Sequence, residues 1–192
     1  FGVSRALNFV NEGIAEGKEI ATIGQIIHNE RVVSALSEKG VRIIDDPSEA
    51  KEGETVVIRS HGVSKRTAEA IKTDFIDATC PFVKKIQRIV EKYHEKCYTI
   101  VIAGDKTHPE VVGINGWCDN SAVIIGDMNE APEKLLPVAD MPLCVVAQTT
   151  SSVVFWENLK KFIKKTCQKA EFFDTICSAT DLRQKEALEI AE

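Results

Sequence analysis

The chain has no long hydrophobic run. Its longest apolar stretches reach about six residues, against the roughly 20 that a membrane-spanning helix needs, so no membrane partner is expected. No charged-then-apolar leader opens the sequence, which argues against a secretory signal in it. There is no initiator Met. The chain begins at Phe1-Gly2-Val3 in mid-pattern, and residues 181–192 read as a helix still running. These ends suggest a fragment of a longer protein. An excess of basic residues is also missing: 24 Lys and Arg face 29 Asp and Glu, a net charge of −5. That balance disfavours nucleic acid as a partner, though it is compatible with a local basic pocket. No Cys-x-x-Cys occurs, which argues against a zinc ribbon or a thioredoxin-type motif. Low-complexity stretches and long linkers are absent as well.

What is present is an ordinary folded composition. The chain has 192 residues, 44% hydrophobic and 28% charged, enough for one large or two small domains with a sizeable core. Its six cysteines would allow disulfides. Without a secretion signal and with a normal core, a reducing cytoplasmic setting is the better expectation. Cys97, Cys118, Cys144 and Cys167 have no ligand-like spacing, and Cys144 sits in the apolar run Leu143-Cys144-Val145-Val146-Ala147, where a thiol is a core filler.

Two cysteines stand apart. Phe75-Ile76-Asp77-Ala78-Thr79-Cys80 and Phe172-Phe173-Asp174-Thr175-Ile176-Cys177 both read Phe-x-Asp-x-x-Cys. Each is an apolar run ending in a cysteine ahead of a helical pattern. Thiolates suit a soft metal or an iron–sulfur cluster, and a repeated setting suggests two sites converging on one cofactor. Two thiolates do not complete such a site, and no other cysteine fits the pattern.

Strand and helix patterns alternate along the whole chain. Helices are expected at 2–16, 30–39, 65–72, 81–96, 109–116, 129–136, 151–169 and from 181. Strands are expected at 20–27, 41–44, 55–58, 75–78, 98–103, 122–125, 143–147 and 172–176. This is the signature of α/β units with mostly parallel sheets, and a second run of the same pattern begins near Cys80. Nearly every reactive residue falls just past a strand: His28, His61, Cys80, His108, Thr149, Thr150 and Cys177. The carboxyl ends of parallel strands form the crevice where ligands bind in such sheets. Plainer readings stand beside this one. His28 could cap the next helix, His61 before Gly62 could mark a turn, Glu110 could complement a helix dipole, and Thr149-Thr150-Ser151-Ser152 could be redundant caps. Taken together, the groups could hold a phosphate and pass protons. A zinc hydrolase using His28, His61 and His108, or a non-catalytic phosphate-binding domain, would use the same residues differently.

Seven segments together resemble one family. They are Phe1-Gly2-Val3-Ser4-Arg5-Ala6, Ile27-His28-Asn29, Ser60-His61-Gly62-Val63, Asp77-Ala78-Thr79-Cys80-Pro81, His108-Pro109-Glu110-Val111, Gln148-Thr149-Thr150 and Asp174-Thr175-Ile176-Cys177-Ser178-Ala179-Thr180. In this order they are similar to the 4-hydroxy-3-methylbut-2-enyl diphosphate reductases, iron–sulfur enzymes of the non-mevalonate isoprenoid pathway. The resemblance implies similar α/β domains in a trefoil-like arrangement around a [4Fe-4S] cluster. On that basis residues 1–80 form a first domain, 81–174 a second, and 175–192 the start of a third. It implies that Cys80 and Cys177 bind the cluster, with the third cysteine falling just before Phe1. His28, His61, His108 and Thr149 would bind an allylic diphosphate, and Glu110 would relay protons. Electrons would come from a donor such as ferredoxin or flavodoxin. A fragment lacking one cysteine is expected to be inactive alone.

Overall fold

A computed structural model describes residues 2–27 and 29–191, apart from the side chains of 181, 185, 188 and 191. It divides into two compact units, Phe1–Lys84 and Lys85–Glu192. In the first, the elements are α1 (Gly2–Ala15), β1 (Ile20–Ile23), α2 (Glu30–Glu38), β2 (Arg42–Ile44), a 3-10 turn (Pro47–Glu49), β3 (Thr55–Ile58), α3 (Lys65–Ala70) and β4 (Phe75–Asp77). Helix α4 (Pro81–His94) runs across the division. The second unit continues with β5 (Thr99–Ala103), α5 (Pro109–Asn115), β6 (Val123–Ile125), α6 (Ala131–Leu135) between two 3-10 turns, β7 (Pro142–Ala147), α7 (Val153–Thr166), β8 (Lys169–Phe173) and α8 (Ser178–Ala191).

Each unit holds one four-stranded sheet, and every pairing is parallel. The orders are β2-β1-β3-β4 and β6-β5-β7-β8, the same topology twice. The α/β class expected from the alternating pattern is therefore observed. Strands β1 and β3, Ile-Ala-Thr-Ile and Thr-Val-Val-Ile, are buried at every position. β-Branched residues favour the extended backbone, and burial of each Ile or Val contributes about 1.5–3 kcal/mol. Both faces of each sheet carry a core. In the first unit Val57, Ile20 and Leu36 pack on one side and Val56, Ile44 and Ile58 on the other. In the second, Val101, Val145 and Leu159 oppose Ile100, Val146 and Ile86.

Caps explain most helix starts. Asn29 accepts from Val32 N–H, Ser64 from Thr67 N–H and Ser152 from Phe155 N–H. Pro81 and Pro109 occupy the first helical position, where a missing N–H costs nothing.

Several boundaries differ from the sequence reading, and three of them bear on the reactive residues. Strand β1 stops at Ile23, not 27, because Gly24 turns the chain at φ +67. A Cβ added there would also push against the Arg59 guanidinium. Strand β8 runs 169–173 rather than 172–176, in register with Pro142–Val146 of β7. Past Phe173 the chain leaves the ladder, because Asp174 and Thr175 turn their side chains to other partners. The last helix begins at Ser178 rather than 181, so Cys177 lies directly before it.

Candidate functional site

The two cysteine segments are built alike. In the first unit, Cys80 N–H donates to the Ser60 carbonyl at 2.9 Å, and the Cys80 carbonyl accepts from Lys84 N–H at 2.9 Å. In the second, Cys177 N–H donates to the Thr149 carbonyl at 3.0 Å, and its carbonyl accepts from Thr180 N–H at 2.9 Å. Each cysteine thus caps a helix while its backbone is tied to the loop following the neighbouring strand, β3 or β7. The motif aspartates anchor the approach. Asp77 accepts from Thr79 N–H and pairs with Lys84. Burial pushes its carboxyl up, but the bonds from Lys84 and Thr79 outweigh that and hold it below the usual range. Asp174 accepts from Lys160 and from the Trp156 indole at 2.7 Å, and these bonds hold its carboxyl low. Thr175, buried after β8, donates its hydroxyl to the Ala147 carbonyl at 2.7 Å and accepts from Ala147 N–H at 2.8 Å. One side chain thereby replaces a rung of the ladder at the end of β7.

All six cysteines are reduced thiols. Cys118 and Cys144 are fully buried, and desolvation pushes them up to about 11 and about 12. Neither can offer a thiolate near neutral pH. Cys80 and Cys177 are only half-buried. Among the described residues no three or more His, Cys, Asp or Glu gather into a metal-holding group. The bare Gly2 at the start of α1 lies against Cys80: a Cβ there would stand 2.9 Å from its sulfur. The missing side chain lets the start of α1 pack directly against Cys80.

In the second unit, Glu110 and Thr149 meet. Glu110 stands on the first turn of α5, yet it is only 2% exposed. One carboxyl oxygen accepts from Thr149 N–H at 2.6 Å and the other from the Thr149 hydroxyl at 2.7 Å. Burial raises its pKa, against the lowering effect of the Thr149 bonds. Such a carboxyl holds a proton to higher pH than an exposed one. Because Thr149 also accepts the Cys177 N–H, the order Glu110–Thr149–Cys177 is continuous. His108 caps α5 through its ring: Nδ1 accepts from Glu110 N–H at 3.1 Å. That bond puts the ring proton on Nε2, the donor form that suits a phosphate oxygen.

His61 lies in the turn after β3, closed by Gly62 N–H to the Arg59 carbonyl at 2.9 Å, with Gly62 at φ +72. Ser60, buried beside it, donates to the Ile26 carbonyl. His61 and Cys80 therefore flank the residue that ties them. His28 lies outside the described residues. Thr150 is exposed and accepts from Gln148. Sequence reasoning missed Thr175, Ser60 and the anchoring by the two aspartates. The Asp repeated at the same distance before each cysteine was the signal for the last of these.

The larger cavities do not coincide with these groups. One of about 340 Å³ in the first unit is lined by Ile14, Arg42, Lys51 and Glu54, around the ion pair between the half-exposed Arg42 and the buried Glu54. Another of about 470 Å³ is lined by Gly104, Gly126, Gln148 and Ser151.

Comparison with known proteins gives concordant findings. A family model described as LytB protein matches residues 1–192. A 4-hydroxy-3-methylbut-2-enyl diphosphate reductase of Thermoanaerobacter sp. (strain X514) is 45% identical, over all of this chain and 68% of the relative. The enzyme of the same name from Alkaliphilus oremlandii is 46% identical, over 69% of its length. A solved structure of (E)-4-hydroxy-3-methyl-but-2-enyl diphosphate reductase, the terminal enzyme of the non-mevalonate pathway, superposes with a TM-score of 0.82 at 34% identity. It covers all of this chain and 69% of that one. The corresponding reductase structure from Plasmodium falciparum gives 0.88 at 29% identity, over 96% of this chain and 59% of that one.

Proposed function

Because the chain belongs to the LytB protein family, which matches it from end to end, we propose that it carries the larger part of a 4-hydroxy-3-methylbut-2-enyl diphosphate reductase. The reaction removes an allylic hydroxyl: substrate, two electrons and two protons give isopentenyl or dimethylallyl diphosphate and one water. The observation that carries this reading is the buried Glu110 carboxyl, bonded twice by Thr149, whose carbonyl in turn holds Cys177.

The donor set fits a cluster. Cys80 and Cys177 are half-buried thiols in repeated settings, and thiolates are the ligands that an iron–sulfur cluster takes. Cys80 and Cys177 would hold a [4Fe-4S] cluster, with a third thiolate from outside the described residues. When bound, the cluster supplies electrons and a Lewis acid.

The chain's own residues account for the rest. His108, with its proton on Nε2, and His61 donate to the diphosphate, joined by His28 on the family resemblance. Donors to a charged group each contribute about 1.5–3 kcal/mol. Burial raises the pKa of Glu110 against the lowering effect of its Thr149 bonds, and the Thr149 hydroxyl, 2.7 Å from the carboxyl, would relay a proton from it to the departing hydroxyl. The trefoil arrangement, with residues 175–192 opening a third domain, is part of the same proposal. So are an external one-electron donor and a cytoplasmic setting; no described helix is long and apolar enough to cross a membrane.

Anaerobic reconstitution of the whole protein with iron and sulfide tests the proposal, read by visible absorption, electron paramagnetic resonance and turnover with a reduced donor. A cluster spectrum with formation of the two diphosphate products is expected. Uptake of zinc alone, with hydrolysis of phosphate esters, would replace it with the hydrolase reading.

A further inference from the structure

The repeated cysteine settings differ in the residue three places after the cysteine. Three residues after Cys80 stands Val83, apolar and 2% exposed. Three residues after Cys177 stands Thr180, and its Oγ1 lies 3.0 Å from the Cys177 sulfur. Both positions fall in the first turn of a helix capped by the cysteine, so side chain i+3 is placed to reach back over the cap. A helix start therefore does not require this hydroxyl, since α4 forms without one. Thr180 is half-buried, and its backbone N–H is already used by the Cys177 carbonyl at 2.9 Å.

With a thiol, either atom could donate. A sulfur bound to iron has no proton, so the hydroxyl must then be the donor. A hydrogen bond to a ligating thiolate disperses its negative charge. Since reduction adds an electron to the iron–sulfur unit, the bond stabilises the reduced form more than the oxidised form. We infer that Thr180 is a positioning residue that raises the reduction potential of the cluster through Cys177, making the two thiolate ligands unequal. The inference rests on the cluster reading above. It adds that electron entry is tuned through Cys177, by a side chain that acts on the cluster by way of its ligand.

The test uses the whole protein, reconstituted anaerobically, as wild type, Thr180→Val and Thr180→Ser. Valine keeps the shape and reproduces the Val83 setting, and serine keeps the hydroxyl. The readouts are iron and sulfide content and the midpoint potential from a redox titration followed by absorption and electron paramagnetic resonance. The expected result is a midpoint shifted to more negative potential in Thr180→Val and close to wild type in Thr180→Ser. Loss of the cluster in the valine variant alone, restored by serine, would also support the contact. An unchanged potential in Thr180→Val, with cluster content intact, would overturn this inference and leave the function standing. A wild-type protein that takes up no cluster would overturn both.

Discussion

Replacing Glu110 by Gln isolates the proton from the packing. In the wild type both carboxyl oxygens face Thr149, at 2.6 Å from its N–H and 2.7 Å from its hydroxyl. Gln keeps an oxygen for the N–H. Its NH₂ can donate to the Thr149 hydroxyl, which then accepts instead of donating, so both bonds survive with one reversed. The Thr149 carbonyl, and through it Cys177, should stay in place. What disappears is the titratable proton. Turnover of the reconstituted whole protein should fall about 10²–10⁴-fold, with iron content and substrate affinity retained. Glu110→Ala is the contrast, because it leaves the buried Thr149 N–H without its acceptor and should cost about 1–3 kcal/mol of stability. The pH dependence gives an independent readout. Burial raises the folded pKa of Glu110 above its ordinary value, so the folded state binds a proton there that the unfolded state releases first. Its contribution is full below the ordinary glutamate pKa, about 4.3, and is lost as pH rises through the raised folded value. Urea midpoints of wild type and Glu110→Gln, compared from pH 4 to 8, should therefore move in favour of Gln as pH rises. Parallel curves, or near-normal turnover with a full cluster, would refute the reasoning and return Glu110 to a helix-dipole role.

Other substitutions separate the remaining roles. Cys80→Ser or Cys177→Ser should sharply lower iron and sulfide after reconstitution, while Cys97→Ser, at an exposed position, should not; equal iron content in all three would remove the ligand assignment. His61→Ala should weaken substrate binding by about 1.5–3 kcal/mol in isothermal titration, the range for losing a bond to a charged group, and unchanged affinity with lost iron would make it a metal ligand instead. Thr175→Val should lower the urea unfolding free energy by about 1–3 kcal/mol, because two buried backbone groups of Ala147 lose their partner; an unchanged midpoint would mean that the end of β7 finds another.

The sequence by itself determined the class of architecture and the chemical inventory. Alternating β-branched runs and amphipathic stretches specify parallel α/β units because side-chain period and burial decide them locally. Ser64, Ser152 and Pro81 could be read as helix starts for the same reason, since a cap acts within three residues. The doubled Phe-x-Asp-x-x-Cys marked two half-buried cysteines and kept them apart from the core thiols Cys118 and Cys144. The tertiary structure alone decided which of these groups act on one another. By sequence Glu110 could simply complement a helix dipole; only the packed structure buries it, which raises its pKa, and brings Thr149, 39 residues away, onto its carboxyl. The sequence places the end of β8 at 176, because Phe172-Phe173 continues into Asp174-Thr175-Ile176 without a breaking residue, whereas the strand ends at Phe173. Trp156, Lys160 and Ala147, brought near by the sheet, draw Asp174 and Thr175 out of the ladder. Such contacts join residues distant in sequence through burial and hydrogen-bond geometry, which the chain acquires only when the sheet has formed.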